Sequence, residues 1–436
     1  VAGCLAYGTK VLMYDGSFKE VQDIKEGDQL MGVDSTPRNV LSTIIGKEQM
    51  YWVHQNKGQS YRVNESHILS TKHYKKGIVN LSIKEYLKNS KRKDYKGYKA
   101  SLIDFKEKEL NIDPYYLGLW LGDGNTSSIK TITTVDKEII NYLKKFNSKP
   151  RAKIQYTIDS RFNKAFKNYY NITDCSKLNN KYIPQDFLIN SKENRLQLLA
   201  GLIDSDGYFS NKDQAYEITQ KSEILANQIA YLTRSLGFYT KVSKKNAKCT
   251  NCKENFYPVF RVTFVPECSI PVLLERKKYL NTKSNFKNKL HTGLKIEKDI
   301  VDNYYGFLLD KDHLFILEDF TVTHNTGKTS VFLKYFLETN KIPLDSVLFS
   351  AHGEAQTKTL GQISENAVTA LISDLLSKDI KFFDKTNLIV IDEINANSDQ
   401  TIKNILDKIT LINKDRAENN KVKVLFLGDP TQLRTT

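Results

Sequence analysis

No apolar run in this sequence reaches the roughly 18 residues that a membrane-spanning helix needs, so no membrane partner is expected. Cysteine is scarce: five among 436 residues, irregularly spaced. They form no disulfide framework and suit a reducing compartment, cytoplasm or nucleoid. Acidic residues fall short of basic ones, 50 against 65, which leaves a net charge of +15. That surplus suits a polyanionic partner such as nucleic acid, the alternative being lysine-rich solubility. The last shortage is local. Gly327-Lys328-Thr329 ends like a phosphate-binding loop, G-x-x-x-x-G-K-[ST], whose backbone N–H groups wrap a phosphate. Its first glycine belongs at position 322, which is valine, inside the β-like run DFTVTHN. Half of a phosphate cradle is present and its first half is missing.

The length suffices for roughly two to four domains with their own cores. Val1 at the start and GDPTQLRTT at the end lead us to expect a piece of a longer protein. VAGC, at 1–4, looks like a lipoprotein cleavage box, but such a box follows a charged and an apolar segment. The strand-like LAYGTKVLMYDG that follows argues for another reading. Joined to Thr326, Val1-Ala2-Gly3 gives VAG-TGKTS, a phosphate loop lacking only a first glycine. One motif is thus split around Cys4–Asn325.

The ends of that insert carry the chemistry for removing it. Cys4 sets a thiol beside the unhindered Gly3 carbonyl. Asn325 has an amide that can cyclise onto its own carbonyl, and Thr326 has a hydroxyl just after that cut. Nucleophile, self-cleaving asparagine and second nucleophile stand in the order that protein splicing requires. An ordinary ATPase tolerating a large insertion predicts an uninterrupted phosphate loop, which Val322 and the terminal His324-Asn325 contradict.

These ends resemble an intein. CLAYGTKVLMYDGSFKEVQDIKEGDQLMG (4–32) is similar to the first splicing block, and GQSYRVNESHILST (58–71) to the second, with Asn64 and His67 as N-x-x-H. YYGFLLDKDHLFILEDFTVTHN (304–325) is similar to the last two blocks and shares YYG, DH-x-F-x-L and the final HN with the yeast vacuolar ATPase intein. The resemblance implies an all-β Hint-type splicing domain that needs no cofactor. By the same resemblance, His67 polarises the Gly3–Cys4 amide, His324 assists Asn325 and His313 is a further proton-transfer group; imidazole titrates near neutral pH, as such work requires. His54, His73 and His291 are read as ordinary histidines. One departure stands out: many inteins carry Asp or Cys seven residues before His313, where this chain has Gly306. The acid's role is then absent or passes to another group, Asp310 or Asp312 being the candidates.

The interior of the insert contains a repeat. YYLGLWLGDGN (115–125) and LLAGLIDSDGYF (198–209) are apolar, carry small residues four apart (Gly118/Gly122 and Gly201/Ser205) and end in Asp-Gly. As helices they can pack closely through those small residues, which brings Asp123 and Asp206 together at two negative helix ends. A hard divalent cation relieves their repulsion. The likeness continues through 129–158 and 216–243 as strand, N-cap (Asp136 or Ser222), helix and strand. This resembles the two-motif LAGLIDADG homing endonucleases. The resemblance implies α+β architecture in two αββαββα halves over double-stranded DNA, with Mg2+ on Asp123 and Asp206. It also implies catalytic lysines at Lys181 and at Lys277 or Lys278, of which Lys278 is the one expected. The alternative is a domain that binds DNA without cleaving it. KEYLKNSKRKDYKGYK (84–99) is either a DNA-contacting arm with stacking tyrosines or a solvated basic face. CTNC (249–252) has zinc-like spacing, but Cys268 is the only other cysteine nearby and a zinc site wants four ligands.

Residues 326–436 read as host protein. NLIVIDEINA (387–396) reads as a strand ending in Asp392-Glu393, where Asp392 approaches Mg2+ and Glu393 positions water. VKVLFLGDPTQL (422–433) resembles the superfamily 1 DNA helicases, in which Gln432 senses the nucleotide phosphate. Mg-ATP on Gly327, Lys328 and Thr329 of a partial α/β P-loop domain follows, a simple P-loop ATPase being the alternative host. The expected organisation is 1–3 host, 4–105 and 291–325 splicing domain, 106–290 endonuclease and 326–436 host, in a monomer. The DNA target is the insert-free host gene at the phosphate-loop codons, and the host helicase has DNA of its own to act on.

Overall fold

The computed structural model describes the chain apart from residues 1–3, 126–127, 159–161, 172–180, 249–255, 280–287, 326–332, 334–335, 338, 352–367, 393, 395–396 and 428–436. Two long antiparallel strands, Pro37–Gln55 and Leu294–Leu309, pair from Leu294↔Gln55 to Leu309↔Val40. Tyr61–Asn64 pairs with the first of them and the short strand Leu5–Ala6 bridges from there to the second, closing the sheet on itself. Alternating side chains turn Leu5, Val53, Val63 and Phe307 into a common core. Residue 4 and residues 304–306 therefore lie on neighbouring strands although the whole insert separates them.

A second sheet gathers His291–Thr292, Tyr95–Tyr98, Ile68–His73, Val322–His324 and Leu314–Ile316 in that order, with Gly77–Ser82 beside Ile68–His73. The strand before the second junction thus lies against the strand that follows His67, with His324 opposite Ile68.

Between these strands lies the repeat. Helices Pro114–Asp123 and Lys192–Asp206 cross at Gly118 and Gly201. A methyl group at Gly118 would overlap the Leu198 carbonyl, and one at Gly201 the Tyr115 carbonyl, so this crossing requires glycine. The first half continues with strands Gly124–Asn125 and Ser128–Thr133, helix Lys137–Leu143, strands Lys149–Ala152 and Gln155–Thr157 and helix Phe162–Tyr169. The second half has strands Gly207–Ser210 and Ala215–Gln220, helix Glu223–Ser235 and strands Tyr239–Lys248 and Phe256–Val265. Among the described residues it ends in the 3-10 turn Glu275–Lys277. Of the two expected N-caps, Ser222 accepts from the Leu225 N–H, whereas Asp136 makes no cap bond and is held by Arg276 at 2.8 and 2.9 Å.

The C-terminal part is a parallel sheet in the order Val368–Leu371, Val347–Ala351, Leu388–Ile391, Lys423–Phe426, with helix Asp399–Asn413 packed on it. No helix among the described residues is long and apolar enough to cross a membrane.

Candidate functional site

The first cluster is built around Cys4, which is 1% exposed. Its backbone N–H donates to Asn64 Oδ1 at 2.8 Å, and the Asn64 N–H returns a bond of 3.3 Å to the Cys4 carbonyl. Asn64 is the last residue of its strand and begins a tight turn in which His67 N–H donates to the Asn64 carbonyl at 3.1 Å. The N-x-x-H spacing is the span of that turn. Burial, then the Glu48 carboxylate, raises the Cys4 thiol well above its ordinary value.

His67 is fully buried. Its Nε2 lies 2.6 Å from Thr323 Oγ1, while its Nδ1 meets no partner among the described residues. Burial, and secondarily the proximity of His324, lowers its pKa to about 3, so the ring is neutral at physiological pH. Thr323 also hydrogen-bonds Tyr61. One residue further on, His324 pairs with Leu314, and its ring centroid is 5.8 Å from that of His313. Asn325 is buried and donates its backbone N–H to the His313 carbonyl at 2.8 Å. His313 has a φ of 58°, a left-handed conformation uncommon among non-glycine residues, at the point where its carbonyl accepts from Asn325. Cys4, Asn64, His67, Thr323, His324 and Asn325 therefore form one chain of contacts.

Gly306 has a spatial explanation. A Cβ there would overlap Cys4 Sγ, so the nucleophile fills the place of a side chain. Asp310 and Asp312 do not substitute. Asp310 accepts from Asn39 N and Nδ2 at 2.9 and 2.6 Å. Asp312 is clamped by Arg38 at 2.7 and 2.9 Å, which with the Leu314 N–H holds its carboxyl below the usual range against the pull of burial.

The second cluster sits at the ends of the crossed helices. A methyl at Gly122 would stand 3.1 Å from Asp206 Cγ, so this carboxylate lies against the other helix. Asp123 is half-buried, and burial followed by the Asp206 charge pushes its carboxyl up to about 6. Asp206 is exposed and accepts from Gln220 Nε2 at 2.8 Å. Lys181 Nζ donates to the carbonyls of Trp120 and Leu121 at 2.8 and 3.0 Å. Lys277 does the same in the second half, to Ile203 and Asp204 at 2.7 and 2.9 Å. Two ammonium groups thus meet two negative helix ends. Burial lowers Lys181 to about 8, against the opposing pull of Asp206 and Asp123. Lys278, the lysine expected here, is displaced from this role: it pairs with Glu275 in the open. Lys277 is the last residue of the 3-10 turn and faces the helix end, whereas Lys278 leaves the turn in an extended conformation and points elsewhere.

Two carboxylates at converging helix ends, one of them drawn toward its protonated form, suit a hard divalent cation. Among the described residues no group of three or more His, Cys, Asp or Glu assembles for a metal. Asp123 and Asp206 with neighbouring backbone carbonyls are therefore the available donors.

Asp392 follows directly on its strand, half-buried, its N–H donating to the Ser350 carbonyl at 3.0 Å. Thr326, Gly327, Lys328, Thr329, Glu393 and Gln432 lie outside the described residues, as do Cys249 and Cys252. The tyrosines of 84–99 do not form a stacking face: Tyr86, Tyr95 and Tyr98 are buried, while Lys84, Lys88, Lys91, Arg92 and Lys93 are exposed. Sequence reasoning missed Thr323 and Glu48. Thr323 touches His67 across 256 positions, and no local pattern signals it.

The family model described as "Hom_end-associated Hint" matches residues 4–161, and the one described as "Homing endonuclease" matches residues 182–265. A replicative DNA helicase DnaB of Mycobacterium intracellulare is 27% identical over 320 residues, 68% of this chain and 52% of that protein. The catalytic subunit of the V-type proton ATPase of Candida tropicalis is 43% identical over 53 residues, 12% of this chain and 5% of its own. An ATP-dependent DNA helicase Hel308 of Methanocaldococcus jannaschii is 26% identical over 285 residues, 58% of this chain and 22% of its own. The chain thus spans about half the length of the first of these relatives and less of the other two. Among solved structures, the gp41-1 intein has a TM-score of 0.19 at 23% identity, covering 22% of this chain and 68% of its own. The endonuclease I-DmoI in complex with DNA and Ca has a TM-score of 0.24 at 15% identity, covering 35% and 82%.

Proposed function

We propose that this chain, a Hint splicing domain with a homing endonuclease domain set into it, excises Cys4–Asn325 and joins Gly3 to Thr326. The observation that carries this reading is that one turn touches both ends of the insert: Asn64 holds the Cys4 N–H, and His67 holds Thr323, two residues before Asn325. Cys4 Sγ attacks the Gly3 carbonyl and the thiol proton passes to the departing nitrogen, giving a thioester. His67 Nδ1 is the imidazole atom left for that proton. The Thr326 hydroxyl then takes the acyl group from sulfur. Asn325 Nδ2 attacks its own carbonyl and releases the insert, with His324 beside it as proton donor. An O-to-N shift leaves an ordinary amide. The test is mass spectrometry of the expressed precursor over time. Cys4→Ala should stop N-terminal cleavage and Asn325→Ala C-terminal cleavage; a double variant that processes like the parent rules the mechanism out.

The inserted domain, in this reading, cleaves both strands of DNA at the uninterrupted host gene, across the codons for Gly3 and Thr326. Asp123 and Asp206 are the residues to hold Mg2+, which when bound supplies an activated water and neutralises phosphate charge. Lys181 and Lys277 offset the negative helix ends. The +15 net charge supports a polyanionic partner and a steep salt dependence. A plasmid with the joined junction should be cut in Mg2+ and one with the interrupted gene left whole. Asp123→Asn should bind the junction without cutting it. If neither plasmid is cut in Mg2+ or Mn2+ while the junction is still bound, the domain is a DNA-binding module only.

The flanks belong, in the same reading, to a helicase-type ATPase whose phosphate loop is interrupted. Support comes from the parallel sheet with Asp392 at a strand end and from Gly327-Lys328-Thr329 after the second junction. A precursor locked by Cys4→Ala and Asn325→Ala should bind Mg-ATP more weakly than spliced host. Equal affinities in a nucleotide titration would remove this idea.

A further inference from the structure

We infer that Glu48 is a positioning residue for the first cleavage, acting through Asn64 on the Gly3–Cys4 peptide; this rests on the splicing reading above. Glu48 and Met50 lie on one face of the long strand Pro37–Gln55, and Met50 stands opposite Asn64 in the sheet register. That register sets the Glu48 carboxylate diagonally across from Asn64. Asn64 Nδ2 donates to Glu48 Oε2 at 2.6 Å, and Ser66 Oγ donates to Oε1 at 2.9 Å. Both carboxylate oxygens are therefore held by the turn that leads to His67. On its other side the Asn64 amide accepts the Cys4 N–H. The line runs carboxylate, amide, scissile nitrogen.

Asn64 can serve Cys4 only with its oxygen toward the peptide. A carboxylate accepts and cannot donate, so Glu48 fixes the amide orientation: Nδ2 toward itself and Oδ1 toward Cys4. Its charge also polarises that amide and makes Oδ1 a better acceptor.

The bond changes of the step show where this matters. The Cys4 sulfur bonds to the Gly3 carbonyl carbon, the carbon–nitrogen bond breaks, and the thiol proton ends on nitrogen, now the α-amine of Cys4. An amide N–H becomes a basic amine that takes a further proton from water at neutral pH. The bond to Oδ1 and the field of Glu48 both favour that amine over the amide it replaces. An interaction that grows along the reaction coordinate accelerates the step, whereas one that holds both states equally does not. No side chain can reach the nucleophile from Gly306, because Cys4 Sγ fills that space, and Asp310 and Asp312 are committed to Asn39 and Arg38. Glu48 approaches from the opposite strand.

The two cleavages can be measured apart in the full chain. An Asn325→Ala background reports thiol-induced N-terminal cleavage, and a Cys4→Ala background reports C-terminal cleavage. Glu48→Gln should slow the N-terminal reaction roughly tenfold, the loss of one charge-assisted bond. C-terminal cleavage and the thermal midpoint should stay as in the parent. Glu48→Ala should be slower still, and Glu48→Asp, which keeps a charge near Asn64, should recover part of the rate. Unchanged N-terminal cleavage in Glu48→Gln overturns the inference. Equal slowing of both cleavages with a lowered midpoint overturns it too, by making Glu48 structural. A parent that yields neither cleavage refutes the splicing reading itself, and the inference with it.

Discussion

At Gly306 the space of a side chain is taken by Cys4 Sγ. Installing the acid that the intein resemblance leads one to expect there should therefore do harm. In Gly306→Asp the sulfur must move, and displacement of a nucleophile by about 1 Å costs roughly a hundredfold. Thiol-induced N-terminal cleavage should fall by that order while C-terminal cleavage stays within a few-fold. Normal N-terminal cleavage would mean that Cys4 occupies another place when it reacts. His67 carries a pH signature. Its folded pKa, about 3, lies below the unfolded value, so the unfolded chain takes up the proton first. Stability is then complete above about pH 6.5 and is lost as pH falls toward 3, by about 1.4 kcal/mol per unit. Urea unfolding of the Cys4→Ala, Asn325→Ala precursor should show this slope between pH 6 and 4, and His67→Gln should reduce it by one proton. The gathering of Cys4, His67, His324 and Asn325 in one place was legible in the sequence, because the insert's ends and the short N-x-x-H and His-Asn spacings point to them. Glu48 and Thr323 were not, because strand register, and not sequence distance, brings them to Asn64 and His67.

The crossed helices were the most legible elements. Small residues four apart and a terminal Asp-Gly in both copies specify a close crossing with two carboxylates at its end, and Pro114–Asp123 and Lys192–Asp206 have that form. Backbone on the facing helix cannot move aside as a side chain can. Gly118→Ala should therefore destabilise the endonuclease domain by about 3 kcal/mol, the upper range for overpacking, and Gly201→Ala similarly. Both should weaken DNA cleavage more than binding, since the helices set the spacing of Asp123 and Asp206. Thermal unfolding with a nicking and cleavage assay checks this; a normal melting point in either variant refutes the tight crossing. The choice of Lys278 over Lys277 failed at this same scale. Two adjacent lysines are equivalent in composition, and only the turn Glu275–Lys277 decides which one faces the helix end. In the basic run 84–99 the tyrosines are set among lysines because they fill the core from a helix and a strand, with Tyr86, Tyr95 and Tyr98 buried, which leaves the solvated basic face of the two readings and removes the stacking tyrosines.

In the whole molecule the two domains share a core. Leu188, Ile189 and Tyr231 of the endonuclease pack with Leu12, Leu314, Ile316, Phe320 and Val322 of the splicing domain. Tyr231 stands edge-on to Phe18 and Phe320 at 5.7 and 5.6 Å and donates its hydroxyl to the Gly16 carbonyl at 2.8 Å. Arg195 is buried and donates to the Ile103 carbonyl at 2.6 Å. Tyr231→Ala should therefore cost about 2 kcal/mol and slow splicing, although the residue lies in the other domain. Asp206→Asn, which touches the nuclease alone, should splice at the parental rate. Equal splicing in both variants would show the domains to be energetically independent. Composition indicated several domains, but a shared apolar seam has no signature in a linear reading.

The contact between Thr323 and His67 carries one more consequence, for the ribosome. Thr323 emerges 256 residues after its partner, and at about 5–20 residues per second that is a delay of tens of seconds. Through that interval the imidazole beside the first junction lacks its hydroxyl, and the strand that seats Cys4 lacks its neighbour at 304–305. The junction is thus guarded by synthesis itself, as a fuse is guarded by its length. On the splicing reading proposed above, a truncated translation product cannot arm the cysteine, and only a chain copied through to its far junction acquires the means to cut itself out.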